Sequence, residues 1–372
     1  MTFPTEFLAK LPTPCLIVDR EVADRNIARV AEYFSKRKAK LRPHFKAHKC
    51  TTLLRRQIDA GGCSGVTCAT PYEAEVLANK GFKEILVANQ VIDRAGLAAL
   101  GRAGKRTRVT VAVDALVHVH ALEKTAAAAG IKFGVLIEID VGMGRCGVVR
   151  GSKLLLDLAA EIKNAQHLEL LGLQGYEGHV VQREDRGLRT TMAWQCSEVL
   201  RVERERLEKA GHECPIVSGG GTGTFDISSE IGVMNEIQAG SYALMDVRYG
   251  TIDLPFENAL FCAATVISRR GRDAGVLNAG LKSLSVEYGM PKPVTPGLGV
   301  ISLSDEHARL TVKPEVKLAI GDTVLLIPAH IDPAINLHDA MIVSTGRANH
   351  EIWPVDGRRK SDTLLVPNAL RA

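Results

Sequence analysis

Residues 108–140 read RVTVAVDALVHVHALEKTAAAAGIKFGVLIEID, two short runs rich in Val and Ile on either side of a longer stretch of different texture. The runs Arg108–Asp114 and Phe133–Asp140 have the length and composition of buried strands, whereas Ala115–Ala129 spaces its apolar residues for one face of a helix. A strand, a helix and a second strand in succession predict a parallel βαβ unit. The same alternation extends outward in both directions. Strand-like runs at Leu41–Phe45, Gly65–Ala69 and Glu84–Asn89 precede the unit, and Leu168–Gly175, Pro215–Ser218 and Met234–Gln238 follow it, with Glu184–Ala210 among the helical stretches. Together they make the eight units that a (β/α)8 barrel requires, and the α/β fold predicted is a TIM-like barrel, with a doubly wound sheet as the alternative.

An additional strand at Pro14–Asp19 and the helical stretch Arg20–Lys36 precede the first barrel unit. Beyond Gly250 the texture changes to Val, Thr, Pro and Gly-rich runs at 263–268, 275–278, 310–312, 323–328 and 340–345, with few segments long enough for a helix. The chain therefore reads as a barrel over residues 20–250 and a mostly β unit made of residues 1–19 and 251–372. A length of 372 residues accommodates two such units.

Composition excludes several classes of function. Hydrophobic residues at 46% and charged residues at 24% give ample material for a core. Lys and Arg number 47 against 42 Asp and Glu, a net +5 spread along the chain without a basic tail, so charge does not imply nucleic acid. Apolar runs such as Gly134–Ile139 fall far short of the roughly 20 residues a membrane span needs. The start MTFPTEFLAKLPTP lacks a charged segment followed by an apolar one, so no signal peptide is expected. Eight cysteines without a CxxC pair fit reduced thiols, and the expected location is cytoplasmic.

Candidate chemistry lies where predicted strands end. LRPHFKAHK (residues 41–49) closes the first barrel strand, and Lys46 would point into the mouth, where a partly desolvated lysine can form a Schiff base with a carbonyl or simply be solvated. SGGGTGT (218–224) follows the seventh strand and QAGSY (238–242) the eighth. These are the usual phosphate-cradling positions of a barrel. As a dinucleotide fingerprint the glycine run has the wrong spacing. GMGRCG (142–147) offers Arg145, for an oxyanion or an ion pair, and GYEGH (175–179) offers Tyr176, to stack beside a ring or to pack. PAHIDP (328–333) ends a strand-like run, so His330 and Asp332, at i and i+2, are expected on one side of a strand. They form either a hydrogen-bonded surface pair or a nitrogen and oxygen site for a divalent ion such as Mn2+ or Mg2+. The other histidines at 118, 120, 167, 212 and 350 read as structural or surface groups.

Taken together these motifs resemble the D-threonine aldolase and D-serine dehydratase family of fold-type III pyridoxal phosphate enzymes, related in architecture to alanine racemase. The resemblance runs from TPCLIVD (13–19) to Trp353-Pro354-Val355. It implies that Lys46 carries pyridoxal phosphate covalently. It further implies that Gly221, Thr222, Gly223, Gly240, Ser241 and Tyr242 belong to the phosphate loops, that Arg145 approaches the phenolic oxygen and Tyr176 the ring, and that His330 and Asp332 hold a divalent metal. Dehydratase members resemble H-x-C, where a thiolate favours Zn2+, and aldolase members resemble H-x-D, where the harder carboxylate favours Mn2+ or Mg2+ over Zn2+. Asp332 therefore points to an aldolase that cleaves small D-3-hydroxy amino acids to glycine and an aldehyde. A dehydratase releasing ammonia and a keto acid is the alternative. A non-catalytic pyridoxal phosphate carrier has neither the second unit nor the His-x-Asp pair in its favour. One departure concerns the base: aldolases of this family carry a histidine a few residues beyond the tyrosine, where this chain has Gln182, leaving His179 or a metal-bound water. The family also implies a homodimer with the active site near the subunit interface.

Overall fold

In the computed structural model residues 3–345 and 349–358 are described, so Met1, Thr2 and residues 346–348 and 359–372 of the expected β unit lie outside the described residues. After a short helix, Thr5–Leu8, come strand β1 (Cys15–Asp19) and a helix, Arg20–Ser35, capped by Asp19, whose side chain accepts from the Val22 amide. The barrel strands follow as β2 (Lys40–Leu41), β3 (Val66–Cys68), β4 (Ile85–Val87), β5 (Val109–Val113) and β6 (Phe133–Asp140). After the two-residue β7 (Val148–Val149) come β8 (Leu168–Gly175), β9 (Ile216–Gly219) and β10 (Glu236–Ile237). All pair in parallel in the order β2-β10-β9-β8-β6-β5-β4-β3, with β7 added to β6. Helices such as Leu116–Ala129 and Arg186–Lys209 lie between them. The strands β3, β4 and β5 are buried along their whole length, which is why they read as unbroken apolar runs.

The ring closes between β2 and β3. Leu41 and His44 make isolated parallel bridges to Cys63 and Thr67, so β2 is hydrogen-bonded on both sides and the eight strands form the expected (β/α)8 barrel. A buried ion pair fixes this seam. Arg42 donates from Nε and Nη2 to the two oxygens of Glu236 at 2.8 and 3.0 Å, and from Nη1 to the Glu84 carbonyl at 2.7 Å. Removing one partner of such a pair strands the other charge in the interior. Glu236→Gln is therefore expected to cost about 3 kcal/mol in urea unfolding with the fold retained.

The first strand is shorter than expected. In place of Leu41–Phe45, β2 ends at Leu41, Pro43 has no amide to donate, and Phe45–Ala47 form a 3-10 turn, so Lys46 sits on a turn beyond the strand.

In the second sheet Leu260–Arg269 is the hub. It pairs antiparallel with β1, with Thr323–Ile327 and with Ala274–Leu277, while β1 pairs in parallel with Ala340–Ser344. Leu298–Leu303 and His350–Pro354 extend the edges and were not expected as strands. Three hydrogen bonds bring this sheet to the barrel mouth. The amides of Val247 and Arg248 donate to the carbonyls of Pro328 and Ala329 at 3.0 and 3.3 Å. At the same place the buried Asp246 accepts from the Ile331 amide at 3.1 Å. Elsewhere Asp356 caps the helix Thr51–Asp59 from the far end of the chain, accepting from the Thr51 amide at 3.0 Å and its hydroxyl at 2.6 Å, and the Gly357 amide donates to the Lys49 carbonyl at 2.8 Å. Among the described residues no helix is long and apolar enough to cross a membrane.

Candidate functional site

The C-terminal ends of the barrel strands surround a cavity of about 210 Å³ lined by His44, Lys46, Arg145, Gln174, Tyr176 and Gln238 among others. Its floor is polar and ordered, because the Gln238 side chain donates to Gln174 at 3.2 Å and to Ser218 at 3.0 Å. The Tyr176 ring organises the middle. Lys46 Nζ lies 5.7 Å and the Arg145 guanidinium 5.2 Å from its centroid, and a Cβ on Gly221 would lie 3.9 Å from its edge. Lys46, Arg145, Tyr176 and the glycine loop are thus brought to one place.

The glycine loop is shaped by close backbone approach. A Cβ on Gly223 would fall 1.6 Å from the Val181 carbonyl oxygen, and one on Gly240 would fall 2.4 Å from that of His44, so both positions require glycine. Thr222 accepts the Tyr242 amide at 3.2 Å and ties this loop to the one after β10. Among the described residues the buried amides of Gly221 and Thr222 meet no acceptor. Unpaired amides in a tight glycine turn beside a second turn make a cradle for a phosphate group, so the donor set fits pyridoxal phosphate. Tyr242 departs from its expected part. Its ring is 1% exposed within the core, burial pushes the phenol far up, and only its backbone belongs to the cradle.

His330 and Asp332 do converge, by a different route from the expected strand face. The strand ends at Ile327, His330 stands in extended conformation as the N-cap of a short helix, Ile331–Asn336, and Asp332 occupies its first turn. Pro333 is tolerated there because the first-turn amides have no intrahelical partner. His330 Nε2 lies 3.6 Å from Asp332 Oδ1, too long for a good hydrogen bond, and Asp332 Oδ2 is buried with no partner. On its other side His330 Nδ1 lies 2.9 Å from Glu287, a carboxylate that can only accept, which places the proton on Nδ1. Nε2 and the orphan Oδ2 remain as a nitrogen and oxygen donor pair, which fits a divalent cation. Among the described residues no group of three or more His, Cys, Asp or Glu could hold a metal, so further ligands would be solvent or substrate.

Charge binds the two halves of the site together. Burial alone would raise the Asp332 carboxyl, but the adjacent His330 imidazole and the nearby Lys46 outweigh it and hold the group below its usual range. Burial likewise opposes protonation of His330, but Asp332 and Glu287 raise it. His44, two residues before Lys46, is pushed well below its ordinary value by burial and then by the Lys46 cation, and its Nδ1 has no partner. It is a neutral imidazole in the mouth. The sequence reading passed over it, and the 3-10 turn Phe45–Ala47 brings it into the same cavity as Lys46.

His179 lies elsewhere. It lines a separate pocket of about 410 Å³ with Gly142, Arg150 and Trp194, its Nε2 is 3.9 Å from Cys196 Sγ on the helix Arg186–Lys209, and it is not among the residues lining the mouth. His48, the second histidine of the lysine motif, is structural: Nε2 meets Gln57 at 3.0 Å and Nδ1 accepts the Cys50 amide. Burial pushes it down from 6.5 to about 4. The unfolded chain therefore binds this proton first, and stability present above about pH 6.5 is lost as pH falls toward 4. The loss from this group is about 3 kcal/mol. Unfolding free energies at pH 7 and pH 4 should show a smaller drop in His48→Gln than in the parent.

Comparison with known proteins gives a consistent picture. Residues 18–246 match the family described as alanine racemase, N-terminal domain, and residues 259–344 match a putative serine dehydratase domain. A D-threonine aldolase from an Arthrobacter species is 35% identical over 361 residues, covering 95% of each chain. A 3-hydroxy-D-aspartate aldolase from Paracoccus denitrificans is also 35% identical, covering 95% of this chain and 93% of that one. The crystal structure of D-threonine aldolase from Filomicrobium marinum superimposes with a TM-score of 0.90 at 36% identity, covering 94% of this chain and 96% of that one.

Proposed function

The chain belongs to the alanine racemase-like family of pyridoxal phosphate enzymes that includes the D-threonine aldolases, and from that premise we propose that it cleaves D-3-hydroxy amino acids between Cα and Cβ to glycine and an aldehyde. The observation that carries the reading is the His330 and Asp332 donor pair, electrostatically coupled to Lys46 across one mouth. A carboxylate in that pair, where a thiolate would favour zinc, supports an aldolase using Mn2+ or Mg2+.

On this reading Lys46 holds pyridoxal phosphate covalently, Gly221, Thr222, Gly223, Gly240 and Ser241 receive its phosphate, and Arg145 and Tyr176 flank its ring. When bound, that cofactor supplies the conjugated system that accepts the electron pair left on Cα. A divalent cation on His330 and Asp332 supplies a Lewis acid for the 3-hydroxyl. The rest falls to the chain. Glu287 fixes the His330 tautomer so that Nε2 faces the cation site. The proton of the 3-hydroxyl goes to His44, the neutral imidazole lining the same cavity as Lys46, in place of His179, which faces Cys196. The polar floor of Gln174, Gln238 and Ser218 is already internally bonded and leaves the reacting groups to the rim.

The reading includes a cytoplasmic homodimer. Exposed apolar side chains at Val286, Tyr288 and Met290, on the segment beside His330, support an interface there. Light scattering tests the assembly. Product analysis tests the reaction: purified protein with D-threonine, pyridoxal phosphate and Mn2+ should yield glycine and acetaldehyde, and a chelator should stop it. Ammonia and 2-oxobutanoate would replace this reading with the dehydratase.

A further inference from the structure

Glu177 is a buried carboxylate that none of this chemistry uses. It follows Tyr176 directly at the exit of β8, is 0% exposed, and gathers three donors: the Gly220 amide at 3.1 Å, the Thr224 hydroxyl at 2.9 Å and the Ser228 hydroxyl at 2.8 Å. All three belong to the glycine-rich loop or to the helix Phe225–Ile231 that follows it. Burial raises the Glu177 carboxyl and its donors pull in the opposite direction, so the group sits in the interior at a cost that hydrogen bonds offset. No arginine, lysine or histidine among the described residues forms an ion pair with it. A carboxylate satisfied only by donors from one loop and its helix is an anchor for that loop.

The bonding pattern shows what the anchor achieves. Glu177 consumes the Gly220 amide and turns the Thr224 and Ser228 hydroxyls inward, while the Thr224 amide closes a turn onto the Gly221 carbonyl at 3.2 Å. The amides of Gly221 and Thr222 are left between these fixed points with no acceptor among the described residues. Holding unpaired donors in place before a ligand arrives lowers the ordering cost of binding. Because the chain runs without a break from the Tyr176 ring to Glu177, the same residue pair sets the ring contact and the loop.

We propose that Glu177 is the positioning residue that holds the Gly219–Thr224 loop in the shape that takes the cofactor phosphate, an inference that rests on the pyridoxal phosphate reading above. Glu177 touches neither cofactor nor substrate and acts through the loop. Its own negative charge would repel a phosphate, so its benefit comes from the ordered amides alone.

The test compares two ligands that differ only in the phosphate. Equilibrium binding of pyridoxal phosphate and of pyridoxal is followed by absorbance for the parent, Glu177→Gln and Ser228→Ala. Glu177→Gln should weaken pyridoxal phosphate about 10-fold or more, because the glutamine NH2 cannot accept, so at least one of the three bonds is lost or must reverse and the rest lose their charge assistance. It should leave pyridoxal, which lacks the phosphate, within about twofold of the parent. Ser228→Ala removes the one donor that comes from within the helix and should show the same selectivity with a smaller loss, about threefold. This second variant keeps the carboxylate, so the inference stays testable if Glu177→Gln fails to fold. Equal weakening of both ligands, or unchanged pyridoxal phosphate affinity in both variants, would overturn the inference. If the parent itself binds no pyridoxal phosphate, the cofactor reading fails and this inference falls with it.

Discussion

Lys46→Ala is expected to lower the rate of D-3-hydroxy amino acid cleavage by about 10^4-fold or more, with the fold intact. Among the described residues the Lys46 ammonium makes no hydrogen bond or ion pair and lies 5.7 Å from the centre of the Tyr176 ring, so alanine removes little that holds the barrel together. Borohydride reduction of the parent with pyridoxal phosphate should label one peptide, that of Lys46, and the variant should remain colourless and unlabelled. Its circular dichroism should match the parent. Lys49, the other lysine at the rim, is engaged by Glu73 at 3.0 Å and is poorly placed to substitute. Label recovered on Lys49 or any other lysine in the parent would refute the assignment.

The second large effect concerns Asp332. Asp332→Ala deletes the oxygen donor and leaves His330 paired with Glu287 alone, so metal-dependent turnover should fall about 10^3-fold. Cofactor absorbance should be retained, because the loops assigned to the phosphate lie on β9 and β10 of the barrel, whereas Asp332 arrives from the second sheet. A chelator should abolish parent activity and leave the residual activity of the variant unchanged. Turnover that survives both chelator and substitution would remove the metal from the mechanism.

The barrel was legible because its strands are buried on both faces. Runs such as VTVAV at 109–113 carry no polar residue larger than threonine, and each hands over to a segment with helical spacing. Strand ends were harder to read. In LRPHFKAHK a proline interrupts the ladder before the apolar run stops, and the turn at Phe45–Ala47 is decided by tertiary contacts. His330 and Asp332 do come together, but at a helix start and not on the expected strand face, although a proline one residue past Asp332 is itself a signal of a helix start. The edge strand Leu298–Leu303 is only partly buried, and His350–Pro354 ends in proline, so neither shows the apolar run that marked the others. His44, Glu177 and Glu287 leave no separate mark in sequence: what each does depends on which donors and charges the fold sets around it. His179 was singled out because it lay near Tyr176 in the chain, and a helix on the barrel exterior claims it instead.

The contacts of Asp356 and Gly357 with Thr51 and Lys49 bear on the order in which a ribosome delivers the molecule. The turn bearing Lys46 is among the first barrel segments to be synthesised, yet its outer support comes from residues 305 positions later than Thr51. During synthesis the lysine turn therefore stays incomplete until residues 356 and 357 have emerged and reached it. A barrel expressed without residues 350–357 should close to a ring that still lacks a firm lysine turn, and cofactor capture would mark the moment at which Asp356 and Gly357 reach it.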